Sequence, residues 1–547
     1  MRFFFTSVLA VALLAARPAV VAEPIFGIDE VATAGATTAP VGALHLAEWP
    51  GTAPWPGATA LLGALPEPGT SAFRPSSVAL ARLASRVDGV LDEARWRRST
   101  FGVLVVDGET GDTVYARGAD EAMAPASNLK VLTTAAALHY LGPDFRWSTW
   151  VTTEAPVVDG VVQGDLVLYG TGDPGLSPSS RGQAGALDRL ADSLAARGIR
   201  RVEGRVLGDA SYFSGVTRRD EWDPRDLNDW FAAASSALGY NENMVQLRVE
   251  ATAPGLPPVV HFDPPVSGVE IDNRARTVSG RPSSRLHVLR DDPSEPIRIE
   301  GEIAASARDV YRSMTVRDPD EFAAHAFTGA LESAGITVTG RPGTVVDPDE
   351  SALSASRIFT GATHRVLAGH RSEPLTEALA RVNQESHNLY ADLVLKTLGR
   401  VVLGDGSFEG GAQVVRMYLR DAVGVDPASL AMFDGSGLAA ANRTTPGVLV
   451  ATLRHAFASP LGSIYFETLP EAGTSRMRRM ARTPAALNLR AKTGTIEGVS
   501  ALSGMVRSAD GRPLIFSIIG NDLPSSWGAK RLEDDIGATL AAWSAAP

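Results

Sequence analysis

The chain has 547 residues, too many for one compact core, so two to four domains are expected; 44% hydrophobic and 21% charged residues are ordinary for a soluble fold. A net charge of −11 argues against nucleic acid or an anionic membrane surface as the main partner. The absence of cysteine excludes a disulfide framework, a cysteine-ligated zinc site, a cysteine nucleophile and a lipoprotein anchor.

The first residues read as an export signal. Arg2 precedes the apolar run Phe3–Ala16, and Val20-Val21-Ala22 places small residues at a cleavage site, so 1–22 is expected to be removed. The run is shorter than the ~20 residues a spanning helix needs, so association with a membrane is at most peripheral. A bacterial periplasm or envelope is the expected location. Residues 23–84, rich in Pro, Gly and Ala, read as a linker or wrapping segment, with helical spacing starting near Val78 in "VALARLASRVDGVLDEA".

"FGVLVVDGETGDTVYARG" is two β-rich runs around a turn, hence a hairpin. Pro125 precedes a helix predicted from Ser127 to Tyr140, ended by Gly142-Pro143. Residues 149–355 alternate short strands with turns and read as inserted, mostly β domains. Helices return near 364, three strand-like runs follow ("ALNLRAKTGT", "SALSGMVRS", "RPLIFSIIGND"), and a helix at about 529–543 ends the chain. The fold class is α/β (α+β): an antiparallel sheet with a helical cluster, formed by 85–148 plus 356–547 and split by the insertion.

Only four of the 51 basic residues are lysine: Lys130, Lys396, Lys492 and Lys530. Arginine keeps its proton at any useful pH, whereas a desolvated lysine can lose it, so a chain that prefers arginine this strongly keeps lysine where a neutral amine or a compact charge is needed. Lys130 follows Ser127 by three residues on a predicted helix, within reach of its hydroxyl, which makes a nucleophile beside a base. Taken alone, Ser-x-x-Lys is equally a helix cap beside a surface lysine. Lys492 opens "KTGT" on a predicted strand, where Gly494 would let a substrate backbone approach. Ser386-His387-Asn388 lies between two helical runs and offers a hydroxyl and an amide on one side.

Ser-x-x-Lys, Ser-x-Asn and Lys-Thr-Gly in this order form the set found in class A β-lactamases and penicillin-binding proteins. With "PASNLKVLTTAAAL", "LVLYGTGDPGLS", "LGYNENMVQLRV", "DGSGLAAANRTTP" and "LRAKTGTIEGVSALSGMV", the layout resembles the D-Ala-D-Ala carboxypeptidase/endopeptidase family of low-molecular-mass penicillin-binding proteins, serine peptidase family S13, over roughly 85–540. The resemblance implies a penicillin-binding transpeptidase-like domain with a five-stranded antiparallel sheet. It implies action on peptidoglycan stem peptides and sensitivity to β-lactams; separately, the nine histidines show no His-Glu-x-x-His, so no metal and no cofactor is expected. It also implies that Ser127 is acylated, Lys130 is its base, Ser386 relays a proton to the leaving amine, Asn388 holds a substrate amide and Lys492 tunes the field at Ser386. Thr493 and Thr495 would flank the substrate carboxylate around Gly494, and the N–H groups of Ser127 and Thr495 would form the oxyanion hole.

His387 in the second motif is expected to be a solvated loop histidine. Asp434-Gly435-Ser436-Gly437 reads as a turn supporting the site, and Asn241 and Asn243 in "GYNEN" as side chains bonding local backbone. Two alternatives stay open: a β-lactamase or esterase on the same scaffold, and a catalytically silent wall-binding envelope protein.

Overall fold

The computed structural model describes residues 75–178, 184–265, 268–345, 351 and 365–546. The export signal expected at 1–22 and the segment expected from 23, as far as 74, lie outside the described residues. The linker reading to 84 ends too late. Helix α1 (Ser77–Leu91) occupies its last residues, capped by Ser76 Oγ, which accepts the Ala79 N–H at 3.1 Å. Ala79, Leu83, Val87 and Leu91 repeat at four-residue spacing and form its buried face, and that stripe prevails over the loop-like composition before it.

Strands β1 (Thr100–Asp107) and β2 (Thr113–Arg117) form the expected hairpin, whose turn is held by Asp107 Oδ1 accepting the Glu109 and Thr110 N–H groups at 3.0 and 2.9 Å. Strands β3 (Arg490–Ile496), β4 (Val499–Arg507) and β5 (Pro513–Asn521) come from the other end of the chain. All pairs are antiparallel in the order β3-β4-β5-β1-β2, so the two ends of the sequence share one sheet and β3 lies at its edge.

Alternation of side chains across the sheet builds two cores. Ile515 and Ile519 of β5 join the core of α2 (Lys130–Leu141), α3 (Leu375–Gln384), α4 (Asn388–Leu403), α5 (Phe408–Tyr418) and α6 (Pro446–Ala458). Leu514, Phe516 and Ile518 face the other way, against α1 and the terminal helix α7 (Ser526–Ala542). Burial on both faces explains why β5 reads as a continuous apolar run rather than an alternating one.

Between β2 and β3 the chain leaves this sheet. A second five-stranded sheet runs in the order Gly343–Thr344, Val206–Asp209, Leu166–Gly170, Ser148–Thr153, Arg365–Arg371. Two amphipathic helices, Ala186–Ala196 and Pro319–Ser333, pack on it, giving this region more helix than its turn-rich sequence implies. Arg365–Arg371 lies beyond the boundary expected at 355, yet pairs with Ser148–Thr153. A further core joins a three-stranded sheet centred on Met244–Glu250 and a four-stranded sheet centred on Ile297–Ala304. Among the described residues no helix is long and apolar enough to cross a membrane.

Candidate active site

The helix predicted from Ser127 starts later. Ala126–Leu129 make one 3-10 turn and α2 proper begins at Lys130, so Ser127 sits on the turn just ahead of it. Ala126 has a φ of +46°, a left-handed conformation that costs a non-glycine residue on the order of 1–3 kcal/mol. Two glycines from distant segments pack against this turn. A Cβ on Gly437 would fall 1.9 Å from the Ala126 carbonyl oxygen, and one on Gly494 would fall 2.9 Å from the Pro125 carbonyl oxygen and from Asn128 Nδ2. The expectation that Gly494 leaves room for a substrate backbone is therefore corrected: that space holds the turn carrying Ser127.

Lys130 is fully buried. Its Nζ donates to Ser127 Oγ at 2.9 Å, to Asn388 Oδ1 at 2.7 Å and to the Ser436 carbonyl at 2.6 Å. Burial lowers Lys130 to about 8, against the opposing pull of the Asp392 and Asp434 carboxylates. Lys492, also fully buried, donates to Ser386 Oγ at 2.9 Å and to the Thr493 carbonyl at 2.8 Å. Burial first, and then the charge of Lys130, push it well below the ordinary lysine value. Residues 127, 130, 386, 388 and 492, spread over 365 positions of sequence, thus meet at one cleft: Ser127, Ser386 and Asn388 line it, Lys130 is bonded to the first and third, and Lys492 to the second. It contains two hydroxyls, each beside an amine made easier to deprotonate, which is the equipment for acyl transfer through an ester.

Alternation along β3 turns Lys492 and Gly494 toward the helical core, while Thr493 and Thr495 face the other way and are less buried. Thr495 lines the cleft with Ser127, Ser386 and Asn388. Thr493 is placed by its carbonyl, which accepts from Lys492. Asn388 uses both ends of its amide: Oδ1 accepts from Lys130, and Nδ2 donates to the Phe231 carbonyl at 2.8 Å. One Nδ2 hydrogen remains for another acceptor.

His387 is not solvated. Its side chain is 5% exposed, its Nε2 lies 3.0 Å from Glu242 Oε2, and its ring meets Trp230 and Tyr390 with centroids 5.7 and 4.7 Å away. The insertion closes over the second motif, which sequence position alone does not reveal. The Asp434–Gly437 turn does support the site: Asp434 accepts from Trp222 Nε1 and from the Gly437 and Ala439 N–H groups, fixing the Ser436 carbonyl that Lys130 meets.

The pattern of the D-Ala-D-Ala carboxypeptidase 3 (S13) family matches residues 83–543. The chain is 35% identical over 475 residues to the D-alanyl-D-alanine carboxypeptidase of Actinomadura sp. (strain R39), an alignment covering 84% of each chain. The chain belongs to the S13 family. The fold agrees: the crystal structure of penicillin binding protein 4 (dacB) from Haemophilus influenzae is similar with a TM-score of 0.69 and 24% identity, over 83% of this chain and 98% of that one. A complex of that protein with a β-lactam gives a TM-score of 0.64 at 21% identity, over 82% and 98%. Membership makes this S13 chain a hydrolase of the carboxypeptidase class.

In this S13 chain the cleft is about 840 Å³, floored by the motif residues and walled on one side by Trp222, Trp230 and Phe231 of the insertion. Two buried titratable side chains beneath it escaped sequence reading. Asp392 Oδ1 accepts the Gly435 N–H at 2.8 Å; burial and Asp434 push its carboxyl well above the ordinary carboxylate value. Lys396 is 1% exposed, donates to the Val216 and Ser235 carbonyls at 3.0 and 3.3 Å and lies over the Phe213 and Phe408 rings. A signal for both existed: Asn388, Asp392 and Lys396 repeat every four residues along the otherwise apolar "NLYADLVLKTLG". Of the four lysines, only Lys530 escapes burial.

Proposed function

We propose that this S13 carboxypeptidase removes the terminal D-alanine from peptidoglycan stem peptides through an ester on Ser127, and that β-lactams acylate the same hydroxyl. The observation that carries this is the Lys130 Nζ to Ser127 Oγ hydrogen bond of 2.9 Å inside a fully buried environment. The β-lactam complex of the Haemophilus influenzae protein supports the second part.

Neutral Lys130 takes the Ser127 proton as Oγ attacks the carbonyl of the penultimate D-alanine. The backbone N–H groups of Ser127 and Thr495 hold the developing oxyanion. Ser386 accepts from Lys492, so its own proton is free to pass to the departing amine while the proton taken up by Lys130 replaces it. Asn388 offers its remaining Nδ2 hydrogen to a substrate carbonyl, and Thr493 and Thr495 border the site of the terminal carboxylate on either side of Gly494. Water then cleaves the ester.

The chain divides functionally into a catalytic part, built from residues 77–147 and 372–546, and an insertion, 148–371, that supplies one wall of the cleft. The protein acts outside the cytoplasm, in the bacterial envelope, where its substrate lies.

The test is release of D-alanine from a peptide ending in D-Ala-D-Ala, together with labelling by fluorescent penicillin. Wild type is expected to do both and Ser127→Ala neither. Labelling of Ser127→Ala at the wild-type rate removes the assignment. Rapid turnover of a chromogenic cephalosporin without D-alanine release would point to a β-lactamase.

A further inference from the structure

Ser386 occupies a conformation that its own sequence does not favour. Its φ is +57°, and a serine in the left-handed region costs on the order of 1–3 kcal/mol unless its neighbours are held. Both neighbours are held. Arg381, on α3, reaches Glu385 Oε2 at 3.2 Å, the residue before Ser386. Glu242 Oε2 lies 3.0 Å from Nε2 of His387, the residue after it. The two holders are themselves joined, since Arg381 donates to Glu242 Oε1 at 2.7 Å.

Glu242 comes from the insertion, 144 positions before Ser386 in sequence, and its backbone is equally unusual. Asn241, Glu242 and Asn243 have φ values of +51°, +55° and +57° in succession. Asparagine tolerates this region; glutamate seldom adopts it. Side-chain bonds impose it here: Asn241 Nδ2 donates to the Met244 carbonyl at 2.9 Å, Asn243 Nδ2 to the Ala234 carbonyl at 2.7 Å, and Asn243 Oδ1 accepts the Tyr240 N–H at 3.1 Å. The strain falls on Glu242, and its visible result is to aim one carboxylate at the second motif.

We infer that Glu242 is a positioning residue for the acyl-transfer reaction: through His387 and Arg381 it holds Ser386 where Lys492 Nζ, 2.9 Å away, can meet its hydroxyl. The hydrogen bond from His387, with the charge of Arg381, lowers Glu242 to about 2, so its carboxyl is ionised at neutral pH. Trp230, which lines the cleft, rests its ring against His387 and is set by the same link. The insertion is therefore more than a wall: one of its side chains sets the geometry of a motif belonging to the other part of the chain. This rests on the function proposed above.

A mutant cycle tests it, because a residue acting through Ser386 has nothing to act on once that hydroxyl is gone. Acylation by penicillin is followed by mass spectrometry for wild type, Glu242→Gln, Ser386→Ala and the double variant. Glu242→Gln is expected to slow acylation on the order of 10- to 100-fold, the scale of a misplaced catalytic group. The double variant is expected to match Ser386→Ala within twofold. A Glu242→Gln rate within twofold of wild type overturns the inference, as does a full additional loss in the double variant. If Glu242→Gln does not fold, His387→Gln takes its place in the same cycle with the same expectations. A wild-type protein that penicillin does not acylate removes the proposed function and this inference together; wild-type acylation with an unaffected Glu242→Gln removes only this one.

Discussion

Lys130 Nζ and Ser127 Oγ stand 2.9 Å apart across one turn, and the amine has no exposed surface. Its remaining hydrogen bonds go to the Asn388 amide oxygen and the Ser436 carbonyl, both acceptors, so an amine that gives a proton away can take one only from the Ser127 hydroxyl among these partners. Lys130→Arg should abolish penicillin labelling, by at least a thousandfold, because a guanidinium keeps its proton. Circular dichroism checks that the variant folds. Labelling at the wild-type rate by folded Lys130→Arg would show that the proton goes elsewhere.

The lowered value of about 8 for Lys130 sets a pH profile. The neutral amine is the active form, so the acylation rate should climb tenfold per pH unit below about 8 and level off above it. Stopped-flow measurement between pH 5.5 and 9.5 reads this directly. A rate that is flat across that range contradicts the base assignment.

Gly494→Ala should disturb the turn of Ser127 without touching the side chains of Ser127, Lys130, Ser386, Asn388 or Lys492. The added Cβ would meet the Pro125 carbonyl oxygen and Asn128 Nδ2 at 2.9 Å, closer than packed atoms tolerate. A loss of about 1–3 kcal/mol in stability is expected, with acylation slowed at least tenfold as the turn shifts. Thermal unfolding and labelling rates measured side by side check both; an unchanged rate means the turn does not set the nucleophile.

Lys396 gives a prediction about stability alone. Burial lowers it from 10.5 to about 8, so between those values the folded chain leaves the amine neutral while the unfolded chain still protonates it, and below pH 8 the folded chain must bury a charge. That destabilisation is fully present below pH 8 and fades as pH rises from 8 toward 10.5. Relative to Lys396→Met, wild type should gain roughly 2–3 kcal/mol between pH 7 and pH 10. Urea unfolding at the two pH values measures it, and parallel pH dependences for the two proteins would refute it.

Much of the candidate site was legible because this chain spends lysine so sparingly. Ser127, Lys130, Ser386, Asn388 and Lys492 were each singled out by residue choice, short spacing and motif order, which act within a segment, and the structure brings them to one cleft. The hairpin, the three late strands and the terminal helix were readable for the same reason: turn residues and apolar periodicity act over a few positions. Tertiary structure decided what spans hundreds of positions. Glu242 reaches His387 only because the insertion folds back over α4. Gly494 turned out to admit a turn from the same chain rather than a substrate, because β3 lies beside residues 125–128 in space and not in sequence. Burial of Asp392 and Lys396, which lowers one amine and raises one carboxyl, follows from helices closing around α4. A residue's type and immediate neighbours fix what it is able to do; its solvent, and hence its proton affinity, is fixed by whatever distant segments exclude the water around it.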